Sequence, residues 1–234
     1  MAKSVDVGGL LTSMTDLIRD NSRDALLYVL VIGGIGALGV ATGLTSVEEF
    51  DLSTGFMVDA NDSPGSGLFE LIGLIAMIVA SYWLARRYLG SRGRLRSDEN
   101  RFWSYLGMAI LSGIGIVIGF VLLIVPGIFL LVRWSAATGF VIGEQRGVVD
   151  SLSASWDATK GHGWTIFLAA LVLIIGLIII GGIISLVFGL FGATLLGIVS
   201  AFMEAAGNAI TIALGIAIYC AVSEGAEQVG EVFS

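Results

Sequence analysis

The sequence predicts an all-α integral membrane protein with six transmembrane helices arranged as three hairpins. Three observations carry this expectation: an apolar composition, six long apolar runs, and basic residues sorted by side. Of the 234 residues, 56% are hydrophobic and only 13% are charged, against about 25% charged in a soluble chain. A single cysteine, Cys220, excludes a disulfide scaffold. The composition also excludes a disordered chain and a nucleic-acid-binding domain.

A helix needs about 20 apolar residues to cross ~30 Å of hydrocarbon. The first such run covers residues 25–44. Four acids precede it (Asp6, Asp16, Asp20 and Asp24), the run is long, and no small-x-small cleavage site follows, so it reads as a retained span rather than a signal peptide. The second run covers 68–89 and ends among Tyr82, Trp83 and Tyr88. The stretch from 103 to 143 is too long for one crossing. Val125-Pro126-Gly127 interrupts it, proline removing a donor and glycine permitting a turn. Spans 103–124 and 127–143 therefore form a tight hairpin turning at Pro126-Gly127. Glycines 189, 192 and 197 divide the remaining apolar stretch into spans at 164–188 and 195–222.

Lys and Arg set the orientation. Lys3, Arg19 and Arg23 precede the first span, and Arg86, Arg87, Arg92, Arg94, Arg96 and Arg101 lie around the connecting loop 90–102. Arg146 and Lys160 lie between the fourth and fifth spans. The loop 45–67 has no basic residue and carries Glu48, Glu49, Asp51, Asp59 and Asp62. With six spans, eleven of the twelve basic residues fall on one side. Both termini are therefore expected on the cytoplasmic side, with the acidic loop outside.

Two shorter segments are amphipathic, near 5–20 and 147–160. Leu10, Leu11, Met14, Leu17 and Ile18 share one helical face, as do Val148, Val149, Leu152 and Trp156. Each leads into a span, so helices lying in the membrane interface are expected, with docking onto the protein as the alternative.

The residues Val125-Pro126-Gly127-Ile128-Phe129, Arg133-Trp134-Ser135, Glu144, Gly147-Val148, Ser151-Leu152, Ser155-Trp156 and Thr159-Lys160-Gly161 resemble the signature of the YciC-like family of uncharacterised membrane proteins. That family is related to the membrane domain attached to some glycerophosphodiester phosphodiesterases. The resemblance covers about forty residues, 125–164. It implies a prokaryotic membrane protein connected with lipids or envelope upkeep, and it lends no phosphodiesterase activity, because the chain carries no such catalytic domain.

Arg133 is the most informative single position, since a charge in hydrocarbon costs at least ~2.5–3.5 kcal/mol unless paired or hydrated. Glu204 in the sixth span is the expected partner, with Asn208 one turn on and Glu70 as a further candidate. A structural Arg133–Glu204 tether outweighs a polar site lining a substrate or headgroup cavity. Arg86, Arg87, Arg92, Arg94 and Arg96 are candidates for contact with anionic lipid, although topology alone explains them. Asp59, Asn61, Ser63 and Glu70 match positions of a calcium loop, but Pro64 stands where its glycine should be. An acidic solvated loop is the better reading. His162 and Cys220 read as structural residues. Gly39 and Gly43, Gly115 and Gly119, Gly139 and Gly143, and the stripe Gly181, Ser185, Gly189 are small-xxx-small patterns suited to close helix packing.

No catalytic set, metal-ligand spacing or phosphate loop is present, so no enzyme activity, metal or cofactor is expected. The leading functional expectation is a non-enzymatic scaffold or accessory subunit. It would meet membrane lipids and either further copies of itself or a membrane-complex partner, and no nucleic acid. The alternative is a small transporter or lipid-handling protein with a polar site around Arg133, Glu204 and Asn208.

Overall fold

A computed structural model of the chain describes residues 5–45 and 64–232. Every regular element among them is an α-helix: α1 (Val7–Asp20), α2 (Ser22–Thr42), α3 (Pro64–Ser91), α4 (Phe102–Leu122), α5 (Ile124–Trp134), α6 (Ala137–Gly143), α7 (Val148–Ala158), α8 (Gly163–Gly189) and α9 (Ala193–Val232). Among the described residues, six segments are long and apolar enough to cross a membrane: Ser22–Thr42, Gly65–Ser91, Phe102–Leu122, Ile124–Gly143, Gly163–Gly189 and Ala193–Ser223. The chain is thus an all-α, multi-pass integral membrane protein. The residues quoted for a calcium loop, except Glu70, lie outside the described residues, as do the acids of 48–62 and Lys3.

The chain divides into two compact units. The first holds the residues up to 22, 82–174 and those from 210 on; the second holds 23–81 and 175–209. In the second unit, Tyr28 and Ser81 share a hydroxyl hydrogen bond of 3.1 Å, and Asn208 Nδ2 lies 3.6 Å from Met77 Sδ. Gly33 admits Phe202 so closely that a β-carbon would lie 2.4 Å from Cδ1 of that ring. Glycine thus lets two backbones approach at a contact that any larger residue would push apart.

The first unit is built around the α4–α5 hairpin and the short helices that follow it. Its turn is displaced from the expected Pro126-Gly127. The single residue Leu123, extended at φ −165° and ψ 149°, joins α4 to α5. Pro126 sits in the first turn of α5, where a helix has orphan donors and a missing N–H costs nothing. Gly127 is instead a packing residue: a β-carbon there would meet the Phe120 ring at 2.5 Å. The fourth apolar segment is also not one continuous helix. It breaks at Ser135 and Ala136, between α5 and α6.

Both amphipathic segments are helices, and each buries one face in protein. In α1, Leu10, Met14 and Leu17 are buried. The helix is held to the end of α3 by Asn21 Nδ2 donating to Ser91 Oγ at 2.9 Å and by the Arg92–Asp20 ion pair at 3.4 Å. Its start is fixed by Asp6, whose carboxylate accepts from the Gly9 N–H. In α7 the buried residues are Ser151, Leu152 and Ser155, with Thr159 just beyond, whereas Val149 is 67% exposed. Of the apolar stripe read from the sequence, Leu152 therefore docks and Val149 does not.

Candidate functional site

The polar residues of the first unit converge where α7 crosses the break in the fourth apolar segment. A helix break leaves carbonyls and amides without intrahelical partners, and inside a membrane protein these must be met by side chains. Ser155 does this twice. Its hydroxyl donates to the Arg133 carbonyl at 2.7 Å and accepts from the Ala136 N–H at 3.2 Å. Thr159 Oγ1 lies 3.4 Å from the same Arg133 carbonyl and donates to Ser155 O at 2.8 Å. Ser151 donates to the Gly147 carbonyl at 2.6 Å. The spacing of 151, 155 and 159 puts three small hydroxyl residues on one helical face, which is what allows α7 to lie against α5 and α6.

Arg133 itself is held by aromatic rings. Its guanidinium carbon lies 5.0 Å from the Phe129 centroid and 5.6 Å from the Trp156 centroid, and those two rings meet edge-to-face at 5.4 Å. Among the described residues it makes no ion pair, and its Nε and Nη1 atoms are buried without a hydrogen-bond partner. Glu204 belongs to the other compact unit and is exposed. Within its own unit, the partner found for Arg133 is thus a π-face. Cation–π contact supplies about 0.5–2 kcal/mol, part of the cost of holding the charge away from water. Glu70, Glu204 and Asn208 all lie in the second unit, where no hydrogen bond joins them to one another among the described residues.

The arginines of the connecting loop separate by role. Arg86 reaches Asp98, contacting its carboxylate and carbonyl at 3.4 and 3.2 Å; Arg92 pairs with Asp20; and Arg87 stacks over Trp83 at 5.5 Å. The loop is anchored at both ends. Tyr82 Oη accepts from the Arg101 N–H at 2.8 Å and donates to Asn100 Oδ1 at 3.1 Å, while the Arg96 N–H donates to Gly143 O at 2.9 Å. That last bond brings Arg94 and Arg96 beside α6, where they line an open cleft of about 810 Å³. Phe140, Glu144, Arg146, Asp157 and Tyr219 line it too.

No family model, curated protein or solved structure matches this chain.

The sequence reading did not assemble this cleft, because Tyr219 and Glu144 are 75 positions apart. Gly139 and Gly143 show how α9 comes so close: a β-carbon at Gly139 would lie 2.0 Å from Tyr219 Cγ, and one at Gly143 would lie 3.2 Å from Tyr219 Oη. The Ser151, Ser155, Thr159 stripe was visible in the sequence as hydroxyls at four-residue spacing, but not what it would face. Among the described residues, no group of three or more His, Cys, Asp and Glu side chains is placed to hold a metal ion. His162 is half-buried at the start of α8, where its carbonyl accepts from Ile166.

Proposed function

We propose that this chain is a non-enzymatic scaffold or accessory subunit of a prokaryotic cytoplasmic membrane, with both termini cytoplasmic. One observation carries the reading. The densest polar region of the first unit, Ser151, Ser155 and Thr159 against Arg133 and Ala136, is taken up by backbone hydrogen bonds. Its hydroxyl groups hold helices together and are spent on the backbone. The same α5–α7 junction carries most of the residues that resemble the YciC-like signature, and membership of that family is part of the proposal. Such a protein acts through its surfaces: lipids on the apolar faces, and other copies or a partner subunit along the glycine-lined helices.

A second reading, a small transporter or lipid-handling protein, is favoured by the two buried, unpartnered nitrogens of Arg133. An anionic headgroup would satisfy them.

Native mass spectrometry of the protein, released from its own membrane in mild detergent, separates the two. A homo-oligomer or a protein partner at fixed stoichiometry supports the scaffold. A lipid held at fixed stoichiometry and lost in Arg133→Met supports lipid handling, and a bare monomer counts against both.

A further inference from the structure

We propose that the α4–α5 hairpin enters a single leaflet of the membrane from the side that bears α7, so that acyl chains near the bilayer midplane cover its tip, residues 121–125. The inference uses the first unit alone and is independent of the scaffold and lipid-handling readings. A hairpin that dips and returns leaves the chain on the same side as a pair of crossings, so the expected placement of the termini is unaffected.

Length and composition admit Phe102–Leu122 and Ile124–Gly143 as crossings. The placement of charge sets a narrower limit. Ser155 donates to the Arg133 carbonyl, and Thr159 reaches the same oxygen. Asp157 stands between them on α7 and pairs with Lys160, each side chain more than 60% exposed. Charges open to their surroundings belong in water and not in hydrocarbon, so the Arg133 carbonyl marks the edge of the apolar layer. Trp164, 73% exposed, lies at the same edge: it follows Gly163, whose β-carbon would meet Val132 at 3.8 Å. Exposed tryptophan is characteristic of the membrane–water interface.

Beyond that edge there is too little helix to reach the far side. From Ile124 to Arg133 the α5 arm rises only about 14 Å, half of the ~30 Å hydrocarbon core. The α4 arm agrees. A β-carbon at Gly115 would lie 2.6 Å from the Trp134 ring, which leaves about 11 Å of helix from there to Leu122. On the other side of the edge α6 is buried in protein and exposes no large apolar side chain, so it adds no lipid-facing length.

The tip suits hydrocarbon and not a far aqueous face. No polar side chain occurs from Gly113 to Val132, and all five residues from Val121 to Val125 are 67–80% exposed. Backbone in hydrocarbon must be satisfied internally, and the turn meets that condition closely. Leu123, its one non-helical residue, donates to Gly119 O at 3.0 Å and accepts from the Gly127 N–H at 3.4 Å. Pro126 brings no N–H that would need a partner.

Depth measurement by spin labelling tests this directly. Nitroxides are attached to Leu131→Cys, Leu123→Cys and Val121→Cys, each in a Cys220→Ala background, with the full chain in phosphatidylcholine bilayers. Collision with oxygen rises, and collision with a nickel chelate falls, toward the midplane. The labels at Leu123→Cys and Val121→Cys should read about 12 Å deeper than that at Leu131→Cys, with free access to oxygen. Should Leu123→Cys fail to fold, Val121→Cys and Val125→Cys give the same reading. A tip label shallower than that at Leu131→Cys, as a crossing hairpin requires, overturns the proposal. So does a tip closed to both oxygen and nickel, as cover by a second copy requires.

Discussion

Ser155 and Arg133 are joined by a 2.7 Å hydrogen bond from hydroxyl to carbonyl, at the point where the fourth apolar segment breaks. The same hydroxyl accepts from Ala136, so one side chain satisfies both sides of the break. Removing it leaves a buried acceptor and a buried donor with poor alternatives, since Thr159 reaches the carbonyl only at 3.4 Å.

Ser155→Ala should therefore lower the stability of the first unit by about 1–3 kcal/mol, the cost of an unsatisfied buried polar group. Ser153→Ala, one turn-face away and exposed, should cost less than about 0.5 kcal/mol. Denaturation of the purified protein in mixed micelles measures both. Equal stability of the two variants would mean that the break is held by something other than Ser155.

Gly139→Ala tests the approach of α9. The added carbon would fall 2.0 Å from Tyr219 Cγ, and the crowded atom is the root of a ring, not the end of a flexible chain. Overpacking of this kind costs about 1–3 kcal/mol. Tyr219→Ala costs stability on its own account, but the double variant should lose less than the sum of the two. Additive losses would show that the two residues do not press on one another.

The residues that could be read in the sequence and those that could not differ in kind. Apolar run length and the side preference of arginine are local properties, so six segments and their approximate limits follow from composition alone. Where Pro126 falls within its helix is not local in that sense. Proline is acceptable both in a turn and in the first turn of a helix, and the close packing of Gly119 against Gly127 moves the turn to Leu123. The α7 helix carries two candidate faces, Val149 with Trp156, and Ser151 with Ser155 and Thr159. Hydrophobicity points to the first, of which Trp156 does meet α5, whereas the unsatisfied backbone of a helix break draws in the second. That break is invisible in an apolar stretch. Arg133 is legible as a charge that needs company; within its own unit that company is aromatic, and a π-face leaves no charge signal in a sequence.

Arg133→Met separates an aromatic clasp from an ion-pair tether. A buried, unpaired cation replaced by an apolar side chain is often neutral or stabilising. Arg133→Met is accordingly expected to fold as well as the parent, with Trp156→Ala less stable by more than about 1 kcal/mol through lost packing. Glu204→Gln should stay within about 0.5 kcal/mol. If Arg133→Met and Glu204→Gln were both to lose roughly 3–5 kcal/mol, as on breaking a buried pair, the tether would be the correct account.

Orientation can be read with single cysteines placed in a Cys220→Ala background. Ser53→Cys lies in the acidic loop and Ser97→Cys in the arginine-bearing one. In intact cells an impermeant thiol reagent should label the first and reach the second only after permeabilisation. The reverse pattern would invert the topology. The ion pairs sharpen this test, because Arg86 and Arg92 are partly neutralised by Asp98 and Asp20 in the folded chain. Orientation depends on the count of Lys and Arg near the spans, and acids contribute little to it. Asp98→Asn with Asp20→Asn should thus leave labelling unchanged, while Arg86→Gln, Arg92→Gln and Arg96→Gln combined should produce a mixed population. Labelling that followed net charge instead, shifting with the two Asp→Asn changes, would show that the folded ion pairs, rather than the count of arginines, set the orientation.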